Sequence, residues 1–193
     1  MSKVFLQISM SLDGFVAAPN ISPEHPLGVG GVERLHRWLF DGMTEIDRQV
    51  ADEMFADTGA FVIGRLTFDL GEEPWGDDGT FRTPCFVVTH RARSPLVKGP
   101  TTFNFVTDGI ESAVHQAKVA AGDKDVCVMG GANVAQQALS ANLVDELRLD
   151  VIPVLLGAGS PLFEHIKTVP VELEQTRVLK STFATHFRFN IVR

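Results

Sequence analysis

Two consecutive glycines, Gly130 and Gly131, stand where a predicted strand runs directly into a predicted helix. The apolar run 126–129 precedes them, and the helical segment 132–141 follows. Glycines at such a junction let the backbone approach a ligand closely, and the helix start adds unpaired amides and a positive dipole end. The segment predicts a pyrophosphate site, although a tight turn without a ligand fits it equally well. The residues of this candidate site are Gly130, Gly131, Ala132, Asn133 and Val134.

A second junction of the same kind follows the apolar run 61–63. Gly64, Arg65 and Thr67 place a guanidinium and a hydroxyl near the start of another predicted helix. The arginine fork matches the geometry of phosphate oxygens, which favours an anion at this position. Taken alone, the pattern also fits a surface arginine and a helix-capping threonine.

The third junction follows the apolar run 85–88 and carries Thr89, His90 and Arg91. A small basic cluster in an acidic protein suggests an anion such as a ribose 2′-phosphate, and a solvated loop is the alternative. Ligands of open α/β sheets gather at the carboxyl ends of the strands. Three such junctions in one sheet therefore favour one extended anionic ligand.

These junctions need a sheet to bring them together, and the apolar periodicity predicts one. Short apolar runs are typical of strands covered on both faces, and alternation is typical of strands with two different faces. The pattern predicts an α/β fold with a central mixed sheet and antiparallel strands near the C-terminus. The predicted strands are 4–10, 61–64, 85–88, 103–107, 126–129, 147–151 and 183–191.

Two helix starts carry capping signals. Thr44 with Asp47 at the third helical position is a variant of the capping box, and it predicts a helix that begins after Thr44. Asp108 predicts a second cap, for a helix that follows the strand at 103–107. Residues 18–32 are rich in Pro and Gly and predict a loop, which leads into a short helix at 33–40.

The composition predicts one globular domain that spans residues 1–193. The chain is 45% hydrophobic and 21% charged, with 17 Lys and Arg against 24 Asp and Glu and a net charge of −7. This balance disfavours a nucleic-acid surface, which needs clustered cations. No apolar stretch reaches the roughly 18 residues of a membrane span, and the start of the chain has no signal-peptide pattern. We therefore expect a cytoplasmic protein.

The familiar metal and nucleophile motifs are missing from the sequence. Cys85 and Cys127 each lie inside an apolar run, which predicts buried reduced thiols rather than a disulfide. The six histidines show no ligand spacing and neither HExxH nor paired CxxC occurs, so no metal site is predicted. The sequence also lacks a GxSxG elbow and a Walker A motif.

Four segments, in this order, resemble the dihydrofolate reductase-like superfamily, and in particular the riboflavin-biosynthesis reductases. A Ser-Leu-Asp-Gly signature stands at 11–14, directly after the first predicted strand. Residues 64–67 are similar to the Gly-Arg-x-Thr of dihydrofolate reductases, and the Gly-Gly at 130–131 matches both families. Residues 153–163, with Leu-Leu-Gly-Ala-Gly at their centre, resemble a late segment of the riboflavin reductases. The resemblance covers nearly the whole chain.

This resemblance implies a dihydrofolate reductase-like fold with a mostly parallel sheet flanked by helices, and NADPH as the cofactor. The implied reaction is hydride transfer to a C=N bond of a pteridine-like or aminopyrimidine substrate, as in a 5-amino-6-(5-phosphoribosylamino)uracil reductase. The residues implied in cofactor binding are Ser9, Val16 and Ala17 near the nicotinamide, Gly64, Arg65 and Thr67 at a phosphate, Thr89, His90 and Arg91 at the 2′-phosphate, and Gly130, Gly131, Ala132, Asn133 and Val134 at the pyrophosphate.

The resemblance also points to residues on the substrate side. Asp13 and the late-segment residues Leu155, Leu156 and Gly157 would contact the substrate. In dihydrofolate reductases a carboxylate on the helix before Gly-Arg anchors the substrate ring, and Asp47 lies at about this place, which makes it the candidate catalytic residue. The position of Asp47 as the third residue of a predicted helix favours the alternative, a helix-start acid.

Other functions stay open at this point. The Pro- and Gly-rich segment 18–43 is unusual for these reductases and could cover a different substrate. A dihydrofolate reductase-type activity and a non-catalytic nucleotide-binding or sensing module are the alternatives. The resemblance further implies a homodimer with the late strands at its interface.

Overall fold

The computed structural model describes residues 2–193, which form eleven strands and six helices. In chain order these are β1 (Val4–Ser11), β2 (Phe15–Ala17), α1 (Gly31–Leu35), α2 (Arg37–Phe40), α3 (Glu45–Asp57), β3 (Thr58–Gly64), α4 (Arg65–Gly71), β4 (Cys85–Val88), β5 (Leu96–Lys98), β6 (Thr101–Val106), α5 (Ile110–Ala121), β7 (Asp125–Val128), α6 (Ala132–Ser140), β8 (Glu146–Ile152), β9 (Ser160–Pro161), β10 (Leu173–Lys180) and β11 (Thr185–Ile191).

Nine of the strands form one sheet in the order β10-β11-β8-β1-β7-β3-β4-β6-β5. The six strands from β8 to β6 in this order run parallel to one another. Antiparallel strands close both edges, β5 on one side and the β10–β11 hairpin on the other. β2 and β9 form a separate antiparallel pair. The mixed, mostly parallel sheet with antiparallel C-terminal strands confirms the predicted fold.

Because successive side chains of the central strands point to opposite faces, apolar side chains form two layers, one on each face of the sheet. Ala60 and Val62 of β3 face α5 and α6 in the larger layer. Phe61 and Ile63 point to the opposite face, where they pack with an aromatic cluster that includes Phe68 of α4. All seven residues of β3 are buried, as its continuous apolar run predicts.

Both thiols lie in the aromatic layer. Cys85 of β4 and Cys127 of β7 each pair in register with Phe61, on either side of β3. Both are free and fully buried, and burial raises the pKa of each thiol above its usual value. The predicted buried, unbridged cysteines are confirmed.

The two capping predictions have different outcomes. Thr44 and Asp47 form the reciprocal capping box at the start of α3, as predicted. The prediction that Asp108 caps α5 is wrong. The cap position belongs to Gly109, whose φ of 93° is readily adopted only by glycine, and no side chain among residues 2–193 caps this helix. The Asp108 carboxylate instead lies next to the Thr107 hydroxyl.

The 18–43 segment folds over the sheet as a loop followed by two short helices. The predicted loop is confirmed up to residue 30, since α1 begins at Gly31, and the predicted helix at 33–40 is divided at His36 into α1 and α2. Leu35 and Trp38 are buried in a third apolar cluster with Ile152, the last residue of β8, and Ala184, which precedes β11. The segment is thus packed against the carboxyl ends of β1 and β8.

Candidate functional site

Two of the predicted junctions meet at the carboxyl edge of the sheet. Gly64 N–H donates to the Gly130 carbonyl over 2.7 Å, because β3 and β7 are parallel neighbours. A Cβ added at Gly64 would lie 3.1 Å from Val134 Cγ2, tighter than ordinary packing. Gly130 has a φ of 95° and is joined to Gly131 by a cis peptide bond. We call Gly64, Gly130 and Gly131 the glycine edge.

The start of α6 adjoins the glycine edge and keeps its backbone donors. No side chain among residues 2–193 caps this helix at Gly131. Its first-turn N–H groups therefore point toward the carboxyl edge with the positive end of the helix dipole. The Asn133 amide is exposed and accepts from Gln137 within the helix instead. Backbone, rather than side chains, lines this part of the edge.

α4 brings a hydroxyl and a guanidinium to the same edge. A Cβ added at Gly131 would lie 3.5 Å from Thr67 Oγ1, so the hydroxyl borders the glycine edge. Arg65 Nε donates to Asp69 over 2.7 Å, and its guanidinium lies near the rings of Phe68 and Phe105. Thr67 is thus next to the glycine edge, and Arg65 is held at its outer side.

The third junction follows β4, one strand beyond the glycine edge. Thr89 is buried, and its Oγ1 accepts from Arg91 N–H over 3.1 Å, which forms a tight turn. His90 and Arg91 are exposed on this turn. Arg93, two residues further on, forms a bidentate ion pair with Glu72 at 2.9 and 3.1 Å. The hydrogen bonds from Arg93 lower the pKa of Glu72 below its usual value.

Asp13 ties the turn after β1 to the loop after β8. Its carboxylate accepts from the Ser11 hydroxyl at 2.6 Å, from Leu156 N–H at 3.1 Å and from Gly157 N–H at 2.7 Å. The Ser11 hydrogen bond, followed by the two amides, lowers the pKa of Asp13. The predicted substrate-side residues therefore do come together, with Leu155 left 70% exposed beside them.

The nicotinamide-side residues of the sequence prediction lie on β1 and β2. Val16 and Ala17 are buried in the short β2 strand that pairs with β9. Ser9 is buried on the face of β1 that the 18–43 segment covers, and its Oγ accepts from the Trp38 indole N–H at 2.9 Å. Trp38 thus covers the Ser9 side chain.

A cluster of three polar side chains also lies on this face of the sheet, and the sequence analysis does not predict that they come together. His186 of β11 stands between two carboxylates, with Nδ1 2.7 Å from Asp150 Oδ1 and Nε2 2.9 Å from Asp47 Oδ1. The exposed fractions are 5% for His186, 2% for Asp150 and 0% for Asp47. We call these three residues the carboxylate–histidine cluster. The Trp38 ring packs edge-on against His186 with centroids 5.0 Å apart.

Burial and hydrogen bonding act in opposite directions on this cluster. Burial alone lowers the pKa of His186, but the hydrogen bonds and charges of Asp150 and Asp47 raise it above its usual value. Burial raises the pKa of Asp150. Burial also opposes ionisation of Asp47, but hydrogen bonds from Thr44, Ser181 and His186 bring its pKa below the usual value. Asp47 is therefore both the helix-start acid and a partner of His186.

The strand order defines a mixed α/β protein with a large, mostly parallel central sheet, flanking helices and antiparallel C-terminal strands. Within that class, the chain belongs to the RibD C-terminal domain family, whose model matches residues 2–186.

Two curated relatives are similar to the chain along most of its length. Protein YyaP of Bacillus subtilis strain 168 is 28% identical over 189 residues, which cover 93% of this chain and 90% of YyaP. Protein YwjB of the same organism is 22% identical over 191 residues, which cover 96% and 97%. Both relatives are described as uncharacterized.

Three solved structures share the fold. A Shewanella sp. PV-4 protein assigned to riboflavin biosynthesis superposes with a TM-score of 0.75 at 19% identity, covering 99% of both chains. A pyrimidine reductase-like protein of Corynebacterium diphtheriae gives 0.62 at 15% identity, covering 100% of this chain and 92% of that one. A deaminase/5-amino-6-(5-phosphoribosylamino)uracil reductase of Thermotoga maritima gives 0.66 at 15% identity, covering 99% of this chain and 57% of that one.

Two further properties bear on the kind of site. Within residues 2–193, no group of three or more His, Cys, Asp or Glu side chains is placed to hold a metal ion. Over the same residues, every helix is too short or too polar to cross a bilayer.

Proposed function

We propose that the protein is an NADPH-dependent reductase of the riboflavin-biosynthesis type, which transfers hydride to a C=N bond of a pteridine-like or aminopyrimidine substrate. Membership of the RibD C-terminal domain family and the fold shared with a uracil reductase support an oxidoreductase of this type. The observation that carries the proposal is the glycine edge, where Gly64 touches Gly130 beside the uncapped start of α6.

The residues at the edge fit an elongated dinucleotide. The first-turn amides of α6 would hold the pyrophosphate, since the neighbouring glycines leave no side chain in the way. Arg65 and Thr67 would hold a phosphate on one side, and the exposed turn at 89–91 offers a guanidinium and an imidazole for the 2′-phosphate. The nicotinamide would lie toward Ser9, Val16 and Ala17, near the carboxyl ends of β1 and β2.

When bound, the reduced nicotinamide supplies a hydride, and the substrate nitrogen takes up a proton. The chain's own contribution is to fix the reacting groups and exclude water. The bridge from Asp13 to Leu156 and Gly157 holds the two loops that border this end of the sheet. These loops, with Leu155 exposed beside them, would contact the substrate.

The test is steady oxidation of NADPH, followed by its absorbance, with a panel of dihydropterins and ribosylated 5-aminouracils. We expect turnover with the aminopyrimidines. Turnover with dihydrofolate alone would favour the dihydrofolate reductase alternative, and tight NADPH binding without turnover on the panel would favour the sensing module. If calorimetry detects binding of neither NADPH nor NADP⁺, the proposal is wrong.

The homodimer implied by the family resemblance stays a prediction. Apolar side chains lie along the late hairpin, where Val178 faces Phe187 and Leu173 faces Ile191 in register. Leu173 and Val178 are 42% and 43% exposed, and Phe187 stacks on Phe189 with centroids 5.7 Å apart. Sedimentation equilibrium of the wild-type protein, compared with Val178→Glu, tests a dimer through this face.

A further inference from the structure

The hydrogen bonds around His186 determine where its protons lie. Asp47 Oδ2 already accepts from the N–H and hydroxyl of Thr44, and Asp150 Oδ2 accepts from the Gln7 amide at 2.7 Å. The remaining oxygen of each carboxylate faces one nitrogen of His186. When both carboxylates are ionised they act as acceptors on every side, and the protonated ring of His186, which donates from both nitrogens, is the form that satisfies them.

The surrounding charges allow a cationic ring. Arg148, Arg177 and Arg188 line a small cavity next to His186, from β8, β10 and β11. Each is neutralised locally: Arg148 pairs with Glu146 and Asp57, while Arg177 and Arg188 pair with Glu53. The charges in direct contact with His186 are the two carboxylates of its own cluster, from α3 and β8.

Trp38 connects the carboxylate–histidine cluster to Ser9, one of the predicted cofactor-binding residues. Its ring rests against His186, and its indole N–H donates to Ser9 Oγ. An indole is a donor only, so Ser9 Oγ must be the acceptor in this contact. The hydroxyl hydrogen of Ser9 is therefore not used in the contact with Trp38, which leaves it available for an acceptor on a ligand.

We propose that His186 is a positioning residue of the candidate site: clamped by Asp47 and Asp150, it holds the Trp38 indole, which makes the Ser9 hydroxyl a hydrogen-bond donor to a carbonyl-type acceptor such as a carboxamide oxygen. This inference rests on the proposed function, because it places such an acceptor next to Ser9. His186 of β11 would thus contribute to ligand binding at β1, although β8 lies between these two strands.

The first experiment reads the free protein by NMR. The sequence has two tryptophans, so Trp75→Phe leaves Trp38 as the single indole reporter. Near pH 7.5 we expect both ring nitrogens of His186 to carry protons. His186→Gln should shift the Trp38 indole N–H resonance. The matched control is Glu53→Gln, which breaks the other tie between α3 and the hairpin without touching Trp38, and it should leave this resonance in place. A neutral His186, or a Trp38 indole N–H resonance that does not shift in His186→Gln, overturns the inference.

The second experiment measures NADPH affinity in Ser9→Ala, His186→Gln and the double variant. Each single change should weaken binding about five- to tenfold, the effect of one hydrogen bond. The double variant should lose no more than either single one, because both changes remove the same contact. Glu53→Gln should stay within about twofold of wild type.

The outcomes separate this inference from the proposed function. Normal wild-type affinity combined with additive losses, or with no loss in His186→Gln, overturns the inference alone. If the wild-type protein does not bind NADPH, the proposed function fails and the role of Ser9 fails with it. In that case the NMR result still decides whether a protonated His186 holds Trp38.

Discussion

The glycine edge and the carboxylate–histidine cluster lie at the same end of one sheet, yet they are built in opposite ways. The glycine edge consists of backbone from two sequence-local junctions, and the first-turn amides of α6 beside it have no side-chain cap. The cluster consists of side chains from α3, β8 and β11, and its members satisfy one another while buried. The first arrangement is suited to receiving an anion, and the second to holding the walls of a site in place.

Replacing Asp47 by Ala should have the largest effect, because it removes a cap and leaves His186 with one carboxylate. We expect the free energy of unfolding to fall by about 3–5 kcal/mol, as for other broken buried ion pairs. Urea unfolding measures this, with Glu53→Gln as the control for an ion pair whose side chains are 28% and 30% exposed. Lost turnover with unchanged stability would instead support Asp47 as a catalytic residue.

The same variant should change the pH dependence of stability. The pKa of His186 is raised in the folded protein, so its contribution is complete below the ordinary histidine value and is lost as the pH rises through the raised value. Urea unfolding between about pH 6 and 9 should show this decline in the wild-type protein and a shallower one in Asp47→Ala. Equal slopes would contradict a protonated His186 in the cluster.

At the glycine edge, Gly131→Val should remove NADPH binding while the fold persists. Gly131 has a φ of −73°, which valine adopts, and its Cβ would meet Thr67 Oγ1 at an ordinary 3.5 Å. We expect affinity to fall more than about 100-fold, or 2.7 kcal/mol, in calorimetry. Gly130→Ala is the contrasting variant, because a φ of 95° should cost it about 1–2 kcal/mol of stability. Normal affinity in Gly131→Val would refute the placement of the pyrophosphate.

Arg91→Ala tests the outer end of the same edge. This change removes a charge-assisted contact to the extra phosphate, so NADPH binding should weaken by about 1.5–3 kcal/mol while NADH binding changes little. Lys118→Ala, an exposed cation on α5, serves as the control for net charge. Equal losses for both coenzymes would assign a different role to this turn.

The smallest effect is expected from Glu72→Gln, which breaks the exposed bidentate pair with Arg93. Both side chains are about one-third exposed, so we expect the free energy of unfolding to fall by only about 0.2–1 kcal/mol. Thermal unfolding at low and high salt should show a difference that shrinks as salt screens the pair. A loss comparable to that of Asp47→Ala would mean that exposed and buried ion pairs contribute alike here.

The contrast between the two regions also explains what the sequence could predict. Gly130 and Gly131 follow an apolar strand and precede a helix within one short segment, so local pattern suffices to identify the glycine edge. The Thr44–Asp47 capping box is local in the same way. The prediction that Asp108 caps α5 is wrong because Gly109 occupies the cap position through its backbone conformation, which a side-chain pattern does not report.

Within the carboxylate–histidine cluster, Asp47 carries a local signal, its capping box with Thr44, whereas His186 and Asp150 carry none. His186 lies 36 residues from Asp150 and 139 from Asp47, and only the β8–β11 register and the packing of α3 bring them together. Polar residues alternate with apolar ones in β8 and β11, a pattern common to a solvated face and to a buried polar face. The length of the 18–43 segment was visible in the sequence, but the hydrogen bond from Trp38 to Ser9 was not.

Cys85 and Cys127 lie on either side of Phe61, so chemical labelling of their thiols reports how often the protein opens around them. An alkylating reagent can reach these sulfurs only when the aromatic layer over this face of the sheet opens, since both are fully buried in it. The labelling rate should therefore track opening of this layer, and a bound dinucleotide that joins β3 to β7 should slow it if the opening also separates these strands.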